Sequence, residues 1–142
     1  MIADKKIQMT ADNTRVDKDY IYQGLTYNVI GCLYEVHKEL GSIHKESIYH
    51  RALAIELKNK DIPFTEEKSI EVKYKGKSIG QYRPDFIIDN KVILEIKVTP
   101  AITKAMQDQV YYYVRGTPYK LVLLANFGTT KVGIKRLIYT NQ

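Results

Sequence analysis

The chain has 142 residues, 44% hydrophobic and 27% charged, which fits one globular domain with its own core and is too short for two ordinary ones. Its apolar runs are only a few residues long, which excludes a membrane-spanning helix, and the opening MIADKKIQMTADNTRVDKD lacks the apolar core of a signal peptide. A formal charge of +6 suits a polyanionic partner, and the single cysteine, Cys32, with no second cysteine to pair with, points to a reducing, cytoplasmic setting.

Residues 1–19 are polar and irregular and read as a flexible N-terminal arm; residues 20–142 read as a single α/β domain. Leu25, Val29, Leu33, Val36 and Leu40 fall at helical spacing over 22–40, and Gly41 ends that helix. A second helix is predicted from about 42–44 to 60, with the stripe Ile48, Tyr49, Ala52, Leu53, Ile55 and Leu57, stopped by Asp61 and Pro63. Residues 69–75 alternate as a strand, Lys75-Gly76-Lys77 turns, and 78–88 continues as one longer strand. Asp89-Asn90 then turns the chain into a strand over 91–98. A third helix is expected over 102–115, before Gly116 and Pro118, and strands over 119–126 and 131–139 flank a turn at Gly128. The predicted order is ααβββαββ.

The chemistry concentrates in RPDFIIDNKVILEIKV, residues 83–98. Asp85 and Glu95 are carboxylates inside apolar strands, where a charge needs a partner. A two-residue loop, Asp89-Asn90, would turn Glu95 away from Asp85. A three-residue loop, 89–91, pairs Ile88 with Val92 and sets Asp85 opposite Glu95. Phe86, Ile88, Val92, Leu94 and Ile96 then share one apolar face, and Lys97 joins the carboxylates on the other. We expect the second register. It brings two carboxylates within reach of one hard cation, Mg²⁺ or Mn²⁺, beside a lysine that can orient an attacking water. The spacing alone is equally compatible with a buried Asp/Glu/Lys salt bridge.

Glu46 lies along the line of Tyr49, Leu53 and Leu57, so it is expected to face the interior or its rim. Gln109 interrupts the third helix's stripe of Ile102, Met106, Val110 and Tyr113, and reads as a buried amide in need of partners. Lys73, Lys75 and Arg83 form part of a basic stripe leading to Asp85, suited to a phosphate backbone or simply to solvent. His37, His44 and His50 complete no zinc set and read as core-edge or solvent-facing residues. Cys32 reads as a small buried residue.

Together these residues resemble the PD-(D/E)XK nuclease superfamily, and more closely its small GxxExxY family. The matching pieces are EVHKELG (35–41), ESIYHRALAIEL (46–57), YKGKSIGQYRPDF (74–86), VILEIK (92–97), QVYYYV (109–114) and LLANFG (123–128). The resemblance implies a restriction-endonuclease-like αβββαβ core with a mixed central sheet flanked by helices. It implies that Asp85 and Glu95 bind a divalent metal, that Lys97 is the catalytic lysine and that Glu46 is an extra helix carboxylate. Gln109 and Tyr113 resemble a Gln-xxx-Tyr helix motif and, with Tyr49, read as supporting residues. The glycine that opens the family's name motif is Ile43 here, a change that removes no charged group.

The resulting expectation is a metal-dependent nuclease acting on DNA or RNA. Asp85 and Glu95 hold Mg²⁺ or Mn²⁺, with Glu46 and the Ile96 carbonyl as further ligands, and Lys73, Lys75 and Arg83 contact substrate. The alternative is a non-catalytic nucleic-acid or protein-binding module that keeps the fold. A homodimer or a protein partner is compatible with either.

Overall fold

The computed structural model describes residues 7–9, 15–17 and 21–139. The arm expected over 1–19 falls largely outside the described residues; within it, β1 (Ile7–Met9) and β2 (Arg15–Asp17) pair antiparallel. Two helices follow, α1 (Gln23–Leu40) and α2 (Glu46–Asn59). Gly41 ends α1 at a φ of 72°, a conformation glycine adopts without strain. The Tyr49 hydroxyl donates to the Gly41 carbonyl and accepts from the His44 amide at 3.3 Å. Tyr49 therefore pins the turn between the two helices.

Five strands form the central sheet, in the order β3 (Phe64–Glu66), β6 (Phe86–Ile88), β7 (Val92–Lys97), β8 (Leu121–Asn126), β9 (Gly133–Ile138). Only β7 and β8 run parallel, joined through α3 (Lys104–Val114); the other pairs are antiparallel, so the sheet is mixed. Thr103 caps α3 by accepting from the Met106 amide at 3.2 Å. The remaining strands, β4 (Ile70–Tyr74) and β5 (Lys77–Tyr82), pair with each other in a separate two-stranded ribbon.

Each face of the sheet has its own core. On one side Phe86, Ile88, Val92, Leu94 and Ile96 pack with Val29, Leu33 and Val36 of α1 and Tyr49, Leu53 and Leu57 of α2. On the other, Ile87, Ile93, Val122 and Leu124 pack with Val110 and Val114 of α3 and with Tyr82. β7 and β8 are covered on both faces, and this is why VILEIK and LVLLAN read as nearly continuous apolar runs.

Two expectations about the strands need correction. The single strand expected over 78–88 is two, β5 and β6, broken at Arg83–Asp85. Pro84 has no amide to give a ladder, so the chain leaves one sheet there and enters another. The edge strand β3 was not foreseen. It is three residues long, directly follows the Pro63 that stops α2, and shows no alternation of its own.

The C-terminal end of β7 is held by side-chain clamps. Asn126, 3% exposed, accepts from the Thr99 amide (3.1 Å) and the Gly128 amide (3.0 Å) and donates to the Thr99 carbonyl (2.9 Å). Gly128 lies so close to this loop that a Cβ would sit 2.6 Å from the Thr99 nitrogen. Backbone cannot yield as a flexible side chain would. Gly128→Ala is expected to destabilise the protein by about 1–3 kcal/mol, the usual cost of overpacking, read as a lowered urea midpoint with an unchanged slope.

Candidate functional site

The β6–β7 hairpin sets the site. Ile88 pairs with Val92, Ile87 with Ile93 and Phe86 with Leu94, with a loop of Asp89, Asn90 and Lys91 between the strands. Asp89 and Asn90 take the left-handed conformation (φ 50° and 55°), and the Lys91 amide donates to the Ile88 carbonyl at 2.9 Å. Asp and Asn tolerate that region better than most residues. This is the expected register, and the five expected apolar residues share the face that meets α1 and α2.

Continued by one residue, the same register sets Asp85 opposite Glu95. β6 has ended there, so the edge of β7 is left without a strand partner. The Asp85 carboxylate takes that place: the Ile96 amide donates to Asp85 Oδ2 at 2.7 Å. The side chain is thereby fixed across the end of β7, beside Glu95.

Glu95 is half-buried on the α3 side, and its Oε2 accepts a hydrogen bond from the Tyr82 hydroxyl. Tyr82 is buried and stacks on Tyr113 of α3, centroids 4.7 Å apart and rings 9° from parallel. Burial is the main cause that pushes the Glu95 pKa up, to about 7. The Tyr82 hydrogen bond opposes this, Asp85 adds to it by charge repulsion and as a hydrogen-bond partner, and the Lys97 charge opposes it. Burial, and then Glu95, raise Tyr82 well above an ordinary tyrosine. Burial and the neighbouring Asp85 thus make Glu95 a weaker acid than a carboxyl group in water. Lys97, two residues beyond Glu95, is also half-buried, and none of the ion pairs among the described residues engages it.

His50 of α2 joins Asp85 from the opposite layer. Its ring stacks on Phe86 at 4.4 Å, its Nδ1 lies 3.5 Å from Asp85 Oδ1, and its Nε2 lies 2.8 Å from Glu66 Oε1. The sequence reading set His50 aside as core-edge or solvent-facing. One signal for it was present: His50 is one turn beyond Glu46 on the same helix line. Tyr82 was missed as well; its signal is a lone tyrosine at the inner end of an alternating strand, whose hydroxyl needs a partner once buried.

Three placements differ from expectation. Glu46 opens α2 and is exposed, where a carboxylate suits the helix dipole. The described residues contain no group of three or more His, Cys, Asp or Glu that could hold an ion, so Glu46 does not complete a cluster with Asp85 and Glu95. Gln109 is also exposed, not a buried amide: the buried line of α3 is Val110 and Val114, with Met106 half-buried, and Gln109 lies on its flank. Tyr49, a core residue of α2, fastens the α1–α2 turn through its hydroxyl and stacks on Phe127 at 4.4 Å, and makes no described contact with Asp85 or Glu95. Lys73, Lys75 and Arg83 are exposed on or beside the ribbon. A hollow of about 780 Å³ lined by Tyr27, Cys32, Glu56 and Lys60 contains none of these site side chains.

A family model for the PD-(D/E)XK nuclease superfamily matches residues 23–137. The chain belongs to that superfamily. The match takes in α1 through most of β9, and with it His50, Tyr82, Asp85, Glu95 and Lys97. No curated protein and no solved structure gives a significant match. The mixed five-stranded sheet with helices on both faces is consistent with the restriction-endonuclease-like architecture, and the family implies a nucleic acid substrate.

PD-(D/E)XK nucleases typically use divalent metals, and the residues present fit one. The donors are hard carboxylate oxygens set opposite each other, and the raised Glu95 pKa marks a buried carboxyl group whose ionised form a cation would stabilise. The same shift also ties stability to pH. The folded value near 7 lies above the ordinary 4.5, so the stabilisation is complete below about 4.5 and is lost as pH rises through about 7. In EDTA, the melting temperature should fall from about pH 5 to about pH 8, and Glu95→Gln should flatten that fall. Parallel curves for the two proteins would contradict this account of Glu95.

Proposed function

We propose that this protein is a metal-dependent nuclease that hydrolyses phosphodiester bonds through Asp85, Glu95 and Lys97. The observation that carries the reading is the side-by-side Asp85 and Glu95 carboxyl groups, with Lys97 leaving the same strand face and engaged in no described ion pair. Within the superfamily we place the chain in the GxxExxY family, on the segments 35–41, 46–57, 74–86, 92–97, 109–114 and 123–128.

Asp85 and Glu95 would hold Mg²⁺ or Mn²⁺, with the Ile96 carbonyl as a further oxygen; Glu46, exposed at the start of α2, forms no cluster with them and takes no part in this reading. Bound there, the cation supplies a lowered water pKa and neutralises charge on the phosphoryl oxygens. Lys97 orients the attacking water and offsets negative charge as it builds on the phosphate. Asp85 is aimed by the Ile96 amide and flanked by His50; Glu95 is aimed by Tyr82, which Tyr113 supports by stacking. These contacts restrict both carboxylates to one orientation before substrate arrives. Gln109, exposed one turn before Tyr113, would contact substrate, and Lys73, Lys75 and Arg83, exposed as well, would supply cations for the phosphate backbone.

The test is incubation with end-labelled DNA and RNA in Mg²⁺, beside a Lys97→Ala control. Lys97→Ala should lose at least about a hundredfold in cleavage rate, the scale of one positioned proton-transfer or water-orienting group, without loss of fold. Equal cleavage by both proteins refutes the assignment. Nucleic acid binding without cleavage by the wild type supports the binding-module alternative instead.

A further inference from the structure

The β4–β5 ribbon is built for something other than the core. Ile70, Val72 and Tyr82 anchor its inner end against the α3-side core layer, whereas every residue from Lys73 to Ile79 is exposed. A lone two-stranded ribbon gains little stability in water, so this outer half adds little to folding. Its pairing is interrupted once. Val72 pairs with Gly80 but Lys73 pairs with Ser78, which leaves Ile79 as the extra residue of a bulge. Bulges re-aim side chains and twist a strand locally. Here the unpaired residue is an isoleucine, 66% exposed, and Tyr74 on the partner strand is 59% exposed.

Charge and position add to this. From Ile70 to Arg83 the ribbon carries four cations, Lys73, Lys75, Lys77 and Arg83, against one carboxylate, Glu71, which Lys73 meets at 3.6 Å. The chain turns at Lys75 and Gly76, both at positive φ (49° and 80°), so the tip carries Lys75, and Lys77 opens β5 directly after it. β5 ends at Tyr82, bonded to Glu95, and Arg83-Pro84 leads straight to Asp85. A polyanion held along the ribbon therefore runs towards the carboxylate pair.

Resting on the phosphodiesterase reading of that pair, we infer that the ribbon grips double-stranded DNA, seated in the major groove with Lys73, Lys75 and Lys77 on the phosphates and Ile79 against apolar base edges. The major groove of B-form DNA, about 12 Å wide, admits a two-stranded β-ribbon and displays thymine methyl groups. The deep, narrow major groove of an RNA duplex excludes one, and a single strand has no groove.

Fluorescence anisotropy tests this with a fluorescein-labelled mixed-sequence DNA duplex, the RNA duplex of the same sequence and one isolated DNA strand. EDTA is present throughout, so nothing is cut. Ile79→Ser changes an exposed residue, and a melting curve confirms that it folds. It should weaken duplex DNA binding by roughly tenfold, the scale of one lost groove contact, and leave the other two ligands unaffected. Lys75→Ala with Lys77→Ala should reduce the salt dependence of duplex binding by about two counterions. Wild-type affinity in Ile79→Ser, an unchanged salt slope, or RNA duplex or single strand bound as tightly as duplex DNA would overturn the inference. Because binding is read without metal, a protein that grips duplex DNA in this way yet cuts nothing in Mg²⁺ would overturn the nuclease reading and leave the ribbon's role standing.

Discussion

Two carboxyl groups that would repel each other in water are held in contact at the end of a β-hairpin, and most of the site's geometry follows from how that contact is enforced. The loop at Asp89–Lys91 sets which residues face each other, and Ile88 opposite Val92 leaves Asp85 opposite Glu95. A slip of one residue would send every side chain of the strand to the other face. The apolar face of β6 and β7, buried against α1 and α2, makes such a slip costly. The packing of the core thereby holds the two carboxyl groups opposite each other.

Holding the pair still is the task of its neighbours. Asp85 occupies an edge of β7 that lost its strand partner when Pro84 turned the chain away, and it satisfies the Ile96 amide. Glu95 is fixed by Tyr82, and Tyr82 by Tyr113, so α3 reaches the site through two stacked rings. His50 reaches Asp85 from α2 and ties it to Glu66 on the edge strand. Beyond Lys97, the Asn126 clamp and the tight approach of Gly128 to Thr99 secure the end of β7. All three layers of the fold thus converge on one strand end. That construction resembles preorganised sites in which a charged reactant replaces water among fixed groups.

Where the sequence was legible, the reason is local. The hairpin register could be deduced because one register leaves an unbroken apolar face and the turn residues Asp89 and Asn90 suit a left-handed backbone. The three main helices follow their apolar spacing and their glycine or proline ends. What was not legible depends on contacts between distant elements. The strand through residues 78–88 looked continuous because its composition is uniformly strand-like, and only Pro84 marked the change of sheet. Gln109 and Glu46 matched apolar stripes by spacing, but Gln109 lies on the flank of the buried line of α3 and Glu46 is the exposed first residue of α2, and helical period alone does not say how wide a buried face is or where it begins. His50 and Tyr82 gain their meaning from Asp85 and Glu95, which lie on other strands.

The central claim is that the Asp85–Glu95 pair is a cation site. The most direct measurement is the anomalous scattering of a crystal soaked in Mn²⁺. A difference peak between the Asp85 and Glu95 carboxylates, at about 2.2 Å from an oxygen of each, is the outcome this account predicts. Well-ordered carboxylates with no peak between them, their hydrogen bonds to Ile96 and Tyr82 unchanged, would contradict it.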